Sequence, residues 1–167
     1  MTVITSHKDL ENLTLTFSAD FPATAERVWQ VWEDPRQLER WWGPPTWPAT
    51  FVRHEFRPGG SSRYYMTGPD GEKAGGWWEI VDVDAPNTFS FDDGFAGEDG
   101  EPGGDIPPTR TVVTLSESDG LTRMTSVTQF ISLEQLEQMV QMGMEEGLKL
   151  AMGQIDGLLA EDSRQKV

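Results

Sequence analysis

The sequence predicts an α+β fold. One curved antiparallel β-sheet carries two short helices after its first strand and a long helix at its C-terminal end. Three observations support this. Leu13, Leu15 and Phe17 alternate with Thr14, Thr16 and Ser18, the period-two signature of a half-buried strand. Between Thr50 and Phe130, short β-rich runs are separated by Gly, Asp, Asn and Pro turns, the pattern of an antiparallel meander. From Leu133 to about Leu159 the apolar residues recur at helical spacing.

Taken in order, the segment up to about His7 reads as a frayed end. Thr24 is placed to cap a helix through AERVWQVWE, which gathers Val28, Trp29 and Trp32 on one side. Asp34-Pro35 restarts a helix, with an acceptor at the N-cap and proline at the first helical position. That helix, PRQLERWW, ends at Gly43 because Pro44-Pro45 cannot continue it. TFVRHEF then runs into Pro58-Gly59-Gly60, SSRYYM into GPDG at Gly68 to Gly71, and GGWWEIVDV into Ala85-Pro86-Asn87. TFSFD leads into DDGFAGEDGEPGGD, Asp92 to Asp105, read as a solvated acidic loop. TRTVVTL turns through Ser118-Asp119-Gly120 into LTRMTSVTQF. Ser132 and Gln135 fit a capping box, and the helix they open would span ~40 Å, enough to cross the sheet.

Composition narrows the function classes. At 167 residues the chain fits one domain, residues 1–167, with a core at about 13–160. It has no cysteine, which excludes a disulfide framework and a thiolate metal site. The start has no basic-then-apolar leader, and no run approaches the ~20 apolar residues of a membrane span, so a cytoplasmic, bacterial protein without membrane insertion is expected. A net charge of −15 argues against nucleic acid, which needs a basic face. There are two histidines, no carboxylate–histidine cluster at metal spacing, and no P-loop, dinucleotide or G-x-S-x-G motif. Neither a metal, a cofactor nor a catalytic constellation is therefore expected.

The element order and several motifs resemble the helix-grip superfamily known as SRPBCC or START-like, in the branch related to activators of the heat-shock-protein ATPase (Aha-type). The motifs are FPATAERVWQVWEDPRQLERWWGP, FRPGG at Phe56 to Gly60, GPDG, GGWWEI and GMEEG at Gly143 to Gly147. They span Leu13 to Leu159. The resemblance implies a sheet that grips the C-terminal helix, with a cavity between them. It also implies functions ranging from lipid, hormone and polyketide binding to cyclase activity. One departure is Ser62, where related sequences carry a large aromatic. If it points inward with Tyr64 and Met66, it widens the cavity.

The candidate cavity residues follow from strand parity and helix faces. Trp41 or Trp42, with Trp47, are candidates for wall or lid, weighed against plain core, because an indole buries a large ring yet needs a partner for its N–H. The sheet contributes Phe56, Ser62, Tyr64, Met66, Phe89, Phe91 and Met124. Trp77 and Glu79 are placed inward on shared parity, and His54 on the parity of Val52 and Phe56. On the last helix, the i+4 row Met139, Gly143, Gly147, Ala151 leaves either close helix–sheet contact or empty space, with Met142 and Met144 as adaptable walls. Interior glycines cost about 1 kcal/mol each relative to alanine. Pocket space is the favoured explanation of that stripe.

Binding of a small, largely apolar, ring-containing molecule is thus the leading expectation. A cyclase or dehydratase using Glu79 or His54 with Tyr64 comes second. The ordinary readings are an ion pair of Glu79 with Arg53 or Arg63 and a hydrogen-bonded core His54. A co-chaperone role is third, because the chain is read without the further domain by which full-length activators engage their client.

Overall fold

The computed structural model describes residues 2–97, 100–103 and 106–165. The elements are β1 (Thr5–Asp9), β2 (Thr14–Phe21), α1 (Ala25–Glu33), α2 (Pro35–Trp41), β3 (Ala49–His54), β4 (Ser61–Thr67), β5 (Lys73–Asp84), β6 (Thr88–Ala96), β7 (Thr109–Ser118), β8 (Leu121–Gln129), α3 (Leu133–Gln141), α4 (Met144–Gly153) and α5 (Ile155–Gln165). The eight strands form one sheet in the order β1-β2-β8-β7-β6-β5-β4-β3. Every pairing is antiparallel. The helical pair α1–α2 carries the chain from β2 to the far edge, and β3 to β8 then meander back to it. None of the helices is long and apolar enough to cross a membrane, among the described residues.

The two short helices start where their caps dictate. The Thr24 hydroxyl accepts from the Arg27 N–H at 3.2 Å, and the Asp34 carboxylate accepts from the Arg36 N–H at 2.9 Å, each supplying an orphan donor of the first turn. Their apolar faces meet the concave side of the sheet. There Trp32 lies 4.7 Å from Trp41 and 4.9 Å from Phe89, centroid to centroid, both edge-on. Its indole N–H points to the Met124 sulfur at 3.4 Å. Removing such a side chain to alanine costs ~3–5 kcal/mol, so this cluster anchors α1–α2 on the sheet.

Two β-bulges bend the sheet and reset side-chain parity. One shifts β3 between Phe51 and Arg53, the other β5 between Ile80 and Asp82. Phe51 is buried, Val52 is 68% exposed, and His54 turns inward beyond the bulge.

Three expectations are corrected. The frayed end is a strand: β1 pairs Thr5 with Ser18 and His7 with Thr16, backbone pairing on an edge that requires no apolar pattern. The acidic loop begins later than read, because β6 extends to Ala96 and the Asp92 carboxylate pairs with Arg110 at 2.7 Å. Glu98, Asp99, Gly104 and Asp105 of that stretch lie outside the described residues. The C-terminal helix spans the sheet as expected, but in three segments. Gly143 adopts φ +92° between α3 and α4, a left-handed residue that stops one helix and starts the next, and a second break falls at Gln154.

Candidate functional site

Inward-facing rows of β4, β5 and β6 build one wall of a pocket. On β4 the row is Ser62, Tyr64, Met66; on β5 it is Gly76, Trp78, Ile80; on β6 it is Phe89, Phe91, Asp93, Phe95. Cross-strand register aligns Tyr64 with Gly76 and Phe95, and Ser62 with Trp78, Asp93 and Thr109. At Gly76 an added methyl would overlap the Cζ and Oη atoms of Tyr64, so the ring keeps its place only because this position has no side chain. The Tyr64 ring therefore lies across β5 and brings its hydroxyl towards Asp93.

Opposite this wall stand the end of α2 and the break between α3 and α4. Together they border a cleft of about 260 Å³, partly open to solvent, with Trp42, Tyr64, Met66 and Phe95 on one side and Met139, Met144 and Leu148 on the other. Pro44, Met142 and Gly143 lie at its rim, and Gly147 lines it without a side chain. An added methyl at Gly147 would meet nothing within 4 Å, so this glycine faces space rather than sheet backbone.

The polar groups of the site are few and mutually constrained. Asp93 and Tyr64 are half-buried, and both form part of the pocket wall. Burial pushes the Asp93 carboxyl up to about 7, opposed by the Thr109 hydroxyl and reinforced by the neighbouring Asp92 charge. Burial likewise pushes the Tyr64 phenol up, with the Asp93 charge adding to it and the indole groups of Trp42 and Trp78 opposing it. Those two indole N–H groups approach the Tyr64 oxygen without completing a hydrogen bond, and they have no other partner among the described residues. Such orphaned buried donors cost ~1–3 kcal/mol each, which marks this end of the pocket as energetically unsettled.

Of the residues singled out in the sequence, Trp42, Tyr64, Met66, Met139, Gly143 and Gly147 line the pocket. Others lie elsewhere. Trp41 is fully buried, its N–H donating to the Val31 carbonyl at 2.8 Å. Trp47 packs over Gly68 in the β4–β5 turn. Phe56 packs on Trp29 and Phe89 at the opposite end of the sheet. Phe89, Phe91, Met124 and Ala151 are buried in the core, with Phe91 stacked 4.3 Å from Trp78.

Ser62 points inward as expected but widens nothing. It is fully buried, and its hydroxyl bonds His54 Nδ1 at 2.7 Å. His54 Nε2 donates to the Trp32 carbonyl at 2.8 Å, so this histidine ties β3 to α1, and burial holds its pKa below the usual range.

Trp77 and Glu79 are corrected outright. Trp78 and Ile80 take the inner face of β5, which turns Trp77 and Glu79 to the outer one. There Trp77 lies over Gly94, and the exposed Glu79 pairs with neither Arg53 nor Arg63 among the described residues. In GGWWEI either tryptophan could have led inward on alternation alone. Asp93 and Phe95 escape the sequence pattern: Phe89, Phe91, Asp93 and Phe95 alternate at period two, but the acidic composition from Asp92 onwards carries the signature of a loop.

Solved structures agree with this architecture. A Mycobacterium smegmatis protein is 51% identical over 95% of this chain and 99% of its own, with a TM-score of 0.86. An Arthrobacter aurescens protein is 53% identical over 95% of this chain and 92% of its own, with a TM-score of 0.91. A Silicibacter pomeroyi protein at 18% identity, covering 89% of this chain and 99% of its own with a TM-score of 0.73, shares the fold. A search of the curated proteins finds no match. The family described as activator of Hsp90 ATPase homolog 1-like protein matches residues 22–160. With the helix-grip fold and this match over most of its length, the chain belongs to the activator of Hsp90 ATPase homolog 1-like family.

Proposed function

We propose that this chain binds a small, largely apolar, ring-containing molecule between the sheet and its C-terminal helices. The observation that carries the proposal is the pocket of about 260 Å³, walled by Trp42, Met66, Met139, Met144 and Leu148 and left open by Gly147. A cavity of ~150 Å³ already admits benzene, so the space suits a molecule of about two fused rings. Flexible methionines let such walls adapt to more than one shape. A cytoplasmic location belongs to the same proposal and is supported by the cysteine-free composition.

The test uses the neutral fluorophore N-phenyl-1-naphthylamine. The parent chain is expected to enhance its emission saturably. Gly147→Leu, which places a side chain in the space that Gly147 leaves, is expected to stay folded and lose that enhancement. A parent without enhancement, or a folded variant that binds as well as the parent, would sink the proposal.

A second reading, cyclase or dehydratase chemistry, is favoured by one observation. Asp93, whose carboxyl is raised to about 7, sits beside Tyr64 in the pocket, which is where a proton-transfer pair would be needed. Glu79, on the outer face, and His54, held by Ser62 and Trp32, no longer serve that reading.

A further inference from the structure

We infer that Asp93 and Tyr64 form the polar end of the pocket and select a ring molecule that carries a hydroxyl group. The inference rests on the binding proposal above and adds the chemical class of the ligand. The geometry fixes which way each hydrogen bond runs. Trp42 and Trp78 bring indole N–H groups near the Tyr64 oxygen without bonding it, so that side of the oxygen meets only donors and the phenol hydrogen is left to donate towards the pocket. Asp93 stands in the same wall of the pocket. On neighbouring elements it faces the Thr109 hydroxyl from β7 and Tyr64 from β4, with Asp92 beside it on β6; no cation pairs with it among the described residues.

A ligand hydroxyl accepts from Tyr64 and donates to Asp93, linking the phenol to the carboxylate. It uses both groups with one atom. A carbonyl or ether oxygen accepts from Tyr64 and offers Asp93 nothing. An ammonium group pairs with Asp93 and leaves the Tyr64 hydrogen idle. The wall around the pair is otherwise apolar, formed by Trp42, Met66 and Phe95, so the remainder of the ligand is hydrocarbon. Hydrogen bonds to a buried charged group are strong relative to neutral ones, so the hydroxyl is the main source of discrimination.

Three two-ring probes separate the possibilities: 2-naphthol, its methyl ether 2-methoxynaphthalene, and the cation 2-(aminomethyl)naphthalene. Each is titrated calorimetrically against the full chain at pH 8, where Asp93 is ionised, and against Asp93→Leu and Tyr64→Phe. Retained cooperative melting confirms that each variant is folded. The parent is expected to bind 2-naphthol about tenfold more tightly than the ether. Either substitution is expected to bring the two probes within about twofold of each other, mainly by weakening 2-naphthol. Tyr64→Phe, which removes one oxygen from an otherwise unchanged ring, keeps the test meaningful should Asp93→Leu fail to fold. Equal binding of naphthol and ether by the parent overturns the anchor while leaving the pocket proposal standing. Tightest binding of the aminomethyl probe overturns the hydroxyl class. Failure of every probe to bind overturns both the anchor and the pocket proposal.

Discussion

Asp93 is a carboxyl placed among aromatic rings, and its cost depends on pH. An unfolded chain releases this proton near 3.8, whereas burial holds it in the fold up to about 7. Between those values the folded state binds the extra proton. The stability that protonation contributes is therefore full below the unfolded value and is lost as pH rises through about 7. His54 runs the other way: its depressed pKa adds stability at neutral pH that is lost as the solution is acidified below 6.5. Asp93→Asn is therefore expected to match the parent near pH 4 and to exceed it by about 1–3 kcal/mol above pH 7, the pocket's partial hydration holding the gain to that range. His54 is common to both proteins and cancels in the difference. Paired thermal unfolding across this range is the measurement, and a gap independent of pH would refute the assignment. Tyr64 and Met66 were legible in the sequence because β4 runs without a bulge, so simple alternation places them. Asp93 was not, since an acid between another acid and a glycine reads the same whether it ends a strand or opens a loop.

At the scale of elements, the C-terminal helices carry glycines with opposite requirements four residues apart. Gly143 needs its φ of +92°, which costs a residue with a Cβ ~1–2 kcal/mol. Gly147 has helical geometry and open space around its Cα. Gly143→Ala is expected to lower stability by about 1–2 kcal/mol, and Gly147→Ala to raise it by up to ~1 kcal/mol. Denaturant unfolding of the two variants checks this; the same sign for both would contradict the segmented helix. Periodicity located these helices but not their break, because the apolar rows pass through Gly143 without interruption. The caps at Thr24, Asp34 and Ser132 were legible outright, each being a local hydrogen bond written into two or three residues. Inner and outer faces of β5 were not. Trp77-Trp78 offers an aromatic to both, and cross-strand packing with Ser62 and Asp93 decides between them.

Across the whole molecule, a net charge of −15 sets a repulsive background that the fold must overcome. Ion pairs such as Arg123–Asp20 and Arg110–Asp92 are well formed but exposed, and pairs of that kind contribute little. Raising salt from roughly 0.01 M to 0.15 M shortens the screening length from ~30 Å to ~8 Å. The melting temperature is expected to rise, at about 2–4 °C for each kcal/mol of repulsion relieved. A fall would mean that the ion pairs outweigh the repulsion. The order of elements was legible from β2 onwards because turn residues and periodicity are local signals. The pairing of β1 was not, for it depends on an edge strand and helices more than a hundred residues later. That pairing has a mechanical consequence. Ser6 bonds Glu145 of α4 at 2.6 Å, and the Thr2 hydroxyl bonds Asp156 of α5 at 2.6 Å, so the first strand clasps the last helices. Tension applied at the N-terminal side would load these two ties first. It would then unzip β1 from β2 one pair at a time, from Thr5–Ser18 towards Asp9–Thr14. Under force the roof of the pocket is thus unlatched before any strand of the sheet's interior bears the load.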